Sequence, residues 1–175
     1  MPAVLLAATE FCRLIDIDVK RFEQRRLRQR AVGDVAASLG PDADFVQLPI
    51  APTEPGKHAR FDALDAIRMR CVMVLESGGL SFNEACKFIL SSGISAYLLH
   101  DGNRDFVAGR WIEPGGKVRH VSGTIRDLAR AMPASPLMAV QINVSGIADD
   151  IVRRADAQLG LVVRHGAFFQ KDDTK

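Results

Sequence analysis

Apolar side chains recur at helical spacing from residue 8 to residue 16, where Phe11, Leu14 and Ile15 stand at i, i+3 and i+4. Asp16-Ile17-Asp18 breaks the pattern. A second one then runs from Val19 to about Arg30: at about 100° per residue, Val19, Phe22 and Leu27 fall on one side. Lys20, Arg21, Gln24, Arg25 and Arg28 fall within one arc opposite. Asp18 suits the N-cap of this helix, since its carboxylate can accept from the amides of the first turn. Two short helices joined by about three residues, with Ile17 packed in the turn and the second helix basic, have the outline of a helix-turn-helix.

Beyond a small, polar stretch from Gly33 to Phe45, the run Phe45–Ile50 reads as extended and Ala51–Gly56 as a Pro-rich turn. Lys57-His58-Ala59-Arg60-Phe61 then returns as the second strand of a β-hairpin, with Pro49 confining the first strand to an edge. Residues 62–76 carry the clearest helical pattern, with Asp62 as cap, Asp65 at N3 and Gly78-Gly79 at the end. Ser81-x-x-Glu84 fits a capping box and opens a further helix from Phe82 to about Ser91, apolar along Phe82, Ala85, Cys86 and Ile89.

The run from Lys57 through Ile67, and that from Leu75 through Ala85, resemble MerR-type transcription regulators, in which a wing leads into a helix and a Gly-hydrophobic-Ser turn precedes another. The Leu14–Asp18 turn with its basic helix sits where that family places its first helix-turn-helix. The resemblance spans about residues 5–92. It implies a winged helix on double-stranded DNA, with Arg21, Gln24 and Arg25 at base edges in the major groove and Lys20 and Arg28 on phosphates. Wing residues Lys57, His58 and Arg60 would then grip the flanking backbone. It also implies a homodimer on a two-fold site. The family's long dimerising helix has no counterpart here, because Gly93-Ile94-Ser95 leads into strand-like sequence.

That second half reads differently. Ala96–His100, Phe106–Ile112 and Lys117–Val121 alternate as strands, and Glu113-Pro114-Gly115-Gly116 has Pro and Gly where a type II turn needs them. Thr124–Ala131 reads as a helix, Leu137–Val144 as a buried strand, Ile147–Leu159 as the last helix and Leu161–Phe169 as one short strand. The expected class is α+β. A winged-helix DNA-binding domain over 1–93 precedes a small α+β dimerisation or effector domain over 94–170, of order βββαβα, with a tail at 171–175.

Composition narrows the function classes. Net charge is only +2, and residues 1–95 hold 12 basic and 12 acidic side chains, so the basic signal is local to 19–30. That favours one placed element over a general nucleic-acid coat. Cys12, Cys71 and Cys86 lie in apolar helical patterns without Cys-x-x-Cys spacing, which suggests buried free thiols in a reducing, cytoplasmic compartment. The apolar run Val4–Ala8 is too short for a signal peptide or a membrane span. His58, His100, His120 and His165 stand apart from one another and from carboxylates at metal-ligand spacing. With no nucleophile elbow or phosphate loop in the sequence, neither enzyme, cofactor nor metal is expected. Trp111 and Tyr97 read as strand aromatics packing a small sheet, and Asp149-Asp150 as carboxylates favouring a helix start. The alternative is a protein-interaction adaptor that turns the basic helix to an acidic patch, or a unit that takes a protein or small effector on 94–170.

Overall fold

Three phenylalanines from separate stretches meet at the centre of the amino-terminal half. In the computed structural model, which describes residues 4–27, 47–50, 58–94, 105–164 and 168–171, the ring of Phe11 stacks on Phe61 at 4.1 Å. Phe22 closes the cluster, 5.2 Å from Phe11 and 5.6 Å from Phe61. Phe11 belongs to α1 (Ala8–Ile15) and Phe22 to α2 (19–27). The turn between these helices is three residues long, as the sequence suggests. Asp16 caps α1 in the left-handed region at φ 61°, and Asp18 caps α2 by accepting from the Arg21 amide at 3.0 Å.

The clearest helix of the sequence, α3 (Ala63–Ser77), begins at the expected reciprocal cap: Asp65 N–H donates to Asp62 Oδ1 at 2.8 Å and Asp62 N–H to Asp65 Oδ2 at 3.2 Å. Helix α4 (Phe82–Ser91) begins at the expected Ser81–Glu84 box. Both starts are local, set by side chains three residues apart. By contrast, among the described residues no strand pairing joins 47–50 to 58–61. Phe61 forms its antiparallel bridge with Leu6 instead. The turn expected at 51–56 lies outside the described residues, as do the expected strand at 96–100 and, of the named interface residues, Arg28 and Lys57.

The carboxy-terminal half contributes β1 (Phe106–Ile112), β2 (Val118–Thr124), α5 (Ile125–Ala131), β3 (Met138–Asn143), α6 (Val144–Leu159), β4 (Leu161–Arg164) and β5 (Phe168–Lys171). The described order is therefore ββαβαββ, where the sequence suggests βββαβα. Strands β2-β1-β3 form one antiparallel sheet, and β4 and β5 form a separate hairpin in place of the one short strand expected at the end. With six helices among the described residues, the protein is mixed α+β.

Three further expectations change for identifiable reasons. The β1–β2 turn carries its positive φ on Gly116, at 80°, and not on Gly115, with Gly116 N–H donating to Glu113 O at 2.8 Å. That is a type I turn followed by a left-handed glycine, the usual three-residue hairpin loop. Strand β3 is apolar yet largely exposed, with only Ile142 buried, because among the described residues it pairs with β1 alone. The last helix, expected from Ile147, starts earlier: Val144, Ser145 and Gly146 form the first turn of α6, where Asn143 Oδ1 accepts from the Gly146 amide at 2.9 Å.

The two halves share one continuous core, in which Phe106, Ala108, Ile151, Ala155 and Phe169 join Phe11, Phe61 and the buried face of α3. A polar tie accompanies it. Arg70 of α3 donates to Ile15 O at 3.1 Å at the carboxyl end of α1, lies 3.6 Å from Asp16, and reaches Asp150 of α6 at 3.9 Å. Asp150 is also held by Arg153 at 2.6 Å and Arg154 at 2.8 Å.

Candidate nucleic-acid interface

Helix α2 rests on the core through Phe22, fully buried, and this fixes what each neighbouring position can do. At about 100° per residue, Arg26 falls close to Phe22 on one flank and Arg25 on the other, while Lys20, Gln24 and Leu27 point away. The burial follows that geometry: Lys20, Gln24 and Leu27 are exposed, Leu27 at 59%. Leu27, which the sequence pattern places with Val19 and Phe22, is thus on the outer face.

Arg25, expected at a base edge, turns inward. Its side chain is only 12% exposed, and the guanidinium grips Glu76 of α3 in a bidentate pair, at 2.6 Å from Nη2 and 3.1 Å from Nη1. The same group lies 3.8 Å above the ring of Phe82, and Nη1 is 3.6 Å from the Met73 sulfur. Arg21 reaches the same carboxylate at 3.1 Å but stays 56% exposed, so its outer donors face solvent. The available cationic surface of α2 is therefore Lys20 and Arg21, with Gln24 beside them.

On the opposite flank Arg26 pairs with Glu23 at 2.7 Å and lies over the rings of Phe22 and Phe61, 6.0 and 5.8 Å from their centroids. His58 and Arg60, exposed just before Phe61, face this flank and share a cleft with Glu23 and Arg26. The residues expected on one surface thus divide between two sides of α2: Arg21 and Arg25 lie toward α3 and α4, His58 and Arg60 toward Arg26. Glu76 and Phe82 carry no sequence signal for their roles, being 51 residues or more from Arg25. Arg26 did carry one, since it shares the Phe22 side of the helix.

Burial keeps the three cysteines as free thiols, each pushed up to about 12, so at neutral pH they are not thiolate nucleophiles. In the sheet, His120 stands across from Arg110 and 5.8 Å from the ring of Phe88, with its Nδ1 buried and unpartnered. Burial, and then the Arg110 charge, hold its pKa below the ordinary histidine value. Trp111 packs in the sheet with 3% exposure, as expected for a strand aromatic; Tyr97, His100 and His165 lie outside the described residues. Among the described residues no helix is long and apolar enough to cross a membrane. No protein-family model matches this chain, and no curated protein matches it significantly.

Proposed function

We propose that this protein is a cytoplasmic, DNA-binding transcription regulator of MerR-like, winged-helix character that acts without catalysis. The observation that carries the reading is α2 itself. It is seated by one phenylalanine on a shared core, follows α1 after a three-residue turn, and presents Lys20, Arg21 and Gln24 outward. A helix so placed can lie in a major groove, with Gln24 and Arg21 at base edges and Lys20 on a phosphate. Arg60 and His58 supply backbone contacts on one side, and Arg25 positions α2 instead of touching DNA. One such surface gives little affinity, so the protein acts as a homodimer on a two-fold site, joined through residues 94–170.

A second reading, an adaptor for another protein, has one observation in its favour: Leu27 is 59% exposed in the middle of the same outer face. Fluorescence anisotropy on random duplex DNA across a salt series separates the two. DNA binding that falls log-linearly with salt, and with a shallower slope in a Lys20→Ala/Arg21→Ala variant, supports the regulator. Absence of binding at low salt by folded protein supports the adaptor. A single monomeric mass by light scattering, with and without DNA, removes the dimer.

A further inference from the structure

We propose that β3 is the surface through which two copies of this chain pair, edge to edge about a two-fold axis. The sheet order β2-β1-β3 leaves β3 hydrogen-bonded on one side only, to β1, among the described residues. Leu137 and Met138 at its start are 67% and 45% exposed, and Ala139, Gln141 and Asn143 are exposed along one face. The free amides and carbonyls of such an edge template pairing with another strand, so edges in contact with water are usually guarded by a charge, a proline or a bulge. The edge strand β2 carries such a guard in Arg119, 49% exposed. Strand β3 has none: its register with β1 is unbroken from Met138 to Asn143, and the whole run from Ala131 to Ala148 holds no charged side chain.

The occupant this edge fits is a second copy of itself. A two-fold axis perpendicular to the sheet keeps each side chain on its own face, and facing residues of antiparallel strands share a face. The register therefore centres on a residue, and the two that pair most of β3 centre on Val140 or on Gln141. With Val140 on the axis, Met138 of one copy faces Ile142 of the other and Ala139 faces Gln141. With Gln141 on the axis, Val140 faces Ile142 and Ala139 faces Asn143. Both registers bring apolar and uncharged residues together and leave no like charges opposed. A strand of another protein would use the same backbone bonds. What favours a second copy is symmetry, which makes both sides of the junction equally free of charge and removes the bare edge from both molecules at once. Two three-stranded sheets then join into one of six, an ordinary width. This specifies the interface of the homodimer proposed above and rests on that dimer, not on DNA binding.

The test is the mass of the full chain by analytical ultracentrifugation across a dilution series, without DNA. Wild type should be dimeric at the upper concentrations. Ala139→Lys/Gln141→Lys, at two exposed positions, sets lysine against lysine in both registers and should raise the dimer Kd about tenfold or more. Ala139→Glu/Gln141→Glu should do the same. Mixing the two variants in equal amounts should restore the dimer, which misfolded chains would not do. Hydrogen exchange on wild type supplies a reading that needs no variant: amides of Met138–Asn143 should exchange faster once dilution has separated the copies. A monomeric wild type overturns both this interface and the homodimer. A wild-type dimer whose Kd is the same in both variants, or whose β3 exchange ignores dilution, overturns this interface alone and leaves the homodimer to another part of residues 94–170. The anisotropy series judges DNA binding separately, and its failure leaves a β3-paired dimer standing.

Discussion

The Arg25–Glu76 pair should contribute measurably to stability, unlike most crystallographic ion pairs at protein surfaces. Its partners are 12% and 22% exposed and meet through two hydrogen bonds of 2.6 and 3.1 Å. At an effective dielectric of about 20, unit charges about 4 Å apart attract by about 4 kcal/mol. Desolvating both groups returns a large part of that. The Phe82 face, 3.8 Å from the guanidinium carbon, adds about 0.5–2 kcal/mol that does not depend on Glu76. The expected coupling energy is therefore about 1.5–2.5 kcal/mol, against about 0.2–1 kcal/mol for exposed pairs. A double-mutant cycle of Arg25→Met and Glu76→Gln isolates it, because methionine keeps an unbranched apolar stem against Phe82 and Met73 while glutamine keeps the shape of Glu76. Urea unfolding followed by circular dichroism and by the sole tryptophan, Trp111, gives the four free energies. Repeating the cycle on an Arg21→Ala background removes the second cation from Glu76. A coupling below about 0.5 kcal/mol, or one abolished by high salt, would refute the claim that Arg25 is a buried anchor of α2.

Three further outcomes follow from the structure. At Gly109 of β1 a Cβ would lie 2.9 Å from both Leu128 methyls, so Gly109→Val should cost about 1–3 kcal/mol by overpacking, and adding Leu128→Ala should recover part of it in the same urea assay. Asp16 sits at φ 61°, a region that β-branched residues strongly avoid; Asp16→Val should cost about 1–3 kcal/mol in thermal or urea unfolding, whereas Asp16→Gly should stay within about 1 kcal/mol of wild type. Because burial and Arg110 lower the pKa of His120, the folded state favours the neutral imidazole while the unfolded chain takes up its proton near pH 6.5. Its contribution is thus complete above about pH 6.5 and is lost as pH falls from there through the lower folded-state value, so a His120→Gln variant should lose less stability than wild type across that interval.

What was legible in the sequence is what neighbouring residues decide among themselves. Asp18, Asp62 with Asp65, and Ser81 with Glu84 start helices through bonds spanning three residues, and the structure places all three starts where the pattern does. What stayed hidden depends on partners far along the chain. Nothing near Arg25 announces Glu76, and nothing within Leu137–Val144 states that this apolar run has only β1 beside it among the described residues. The bridge of Phe61 to Leu6 is likewise a choice between two distant extended stretches, and hydrophobic pattern does not rank them.

Helix α2 shows how that difference bears on function. The helical wheel gathers Lys20, Arg21, Arg25 and Arg28 into a single basic face. Once Phe22 fixes the buried direction, the described cations of α2 serve three ends: Arg25 ties the helix to α3, Arg26 roofs the phenylalanine cluster, and Lys20 and Arg21 face outward. Replacing Arg25 therefore tests the seat of the helix as much as any surface it presents, and a loss of DNA binding in Arg25→Ala cannot by itself distinguish contact from misplacement. Lys20 and Gln24, which reach nothing else among the described residues, are the positions at which affinity should change while the unfolding midpoint does not.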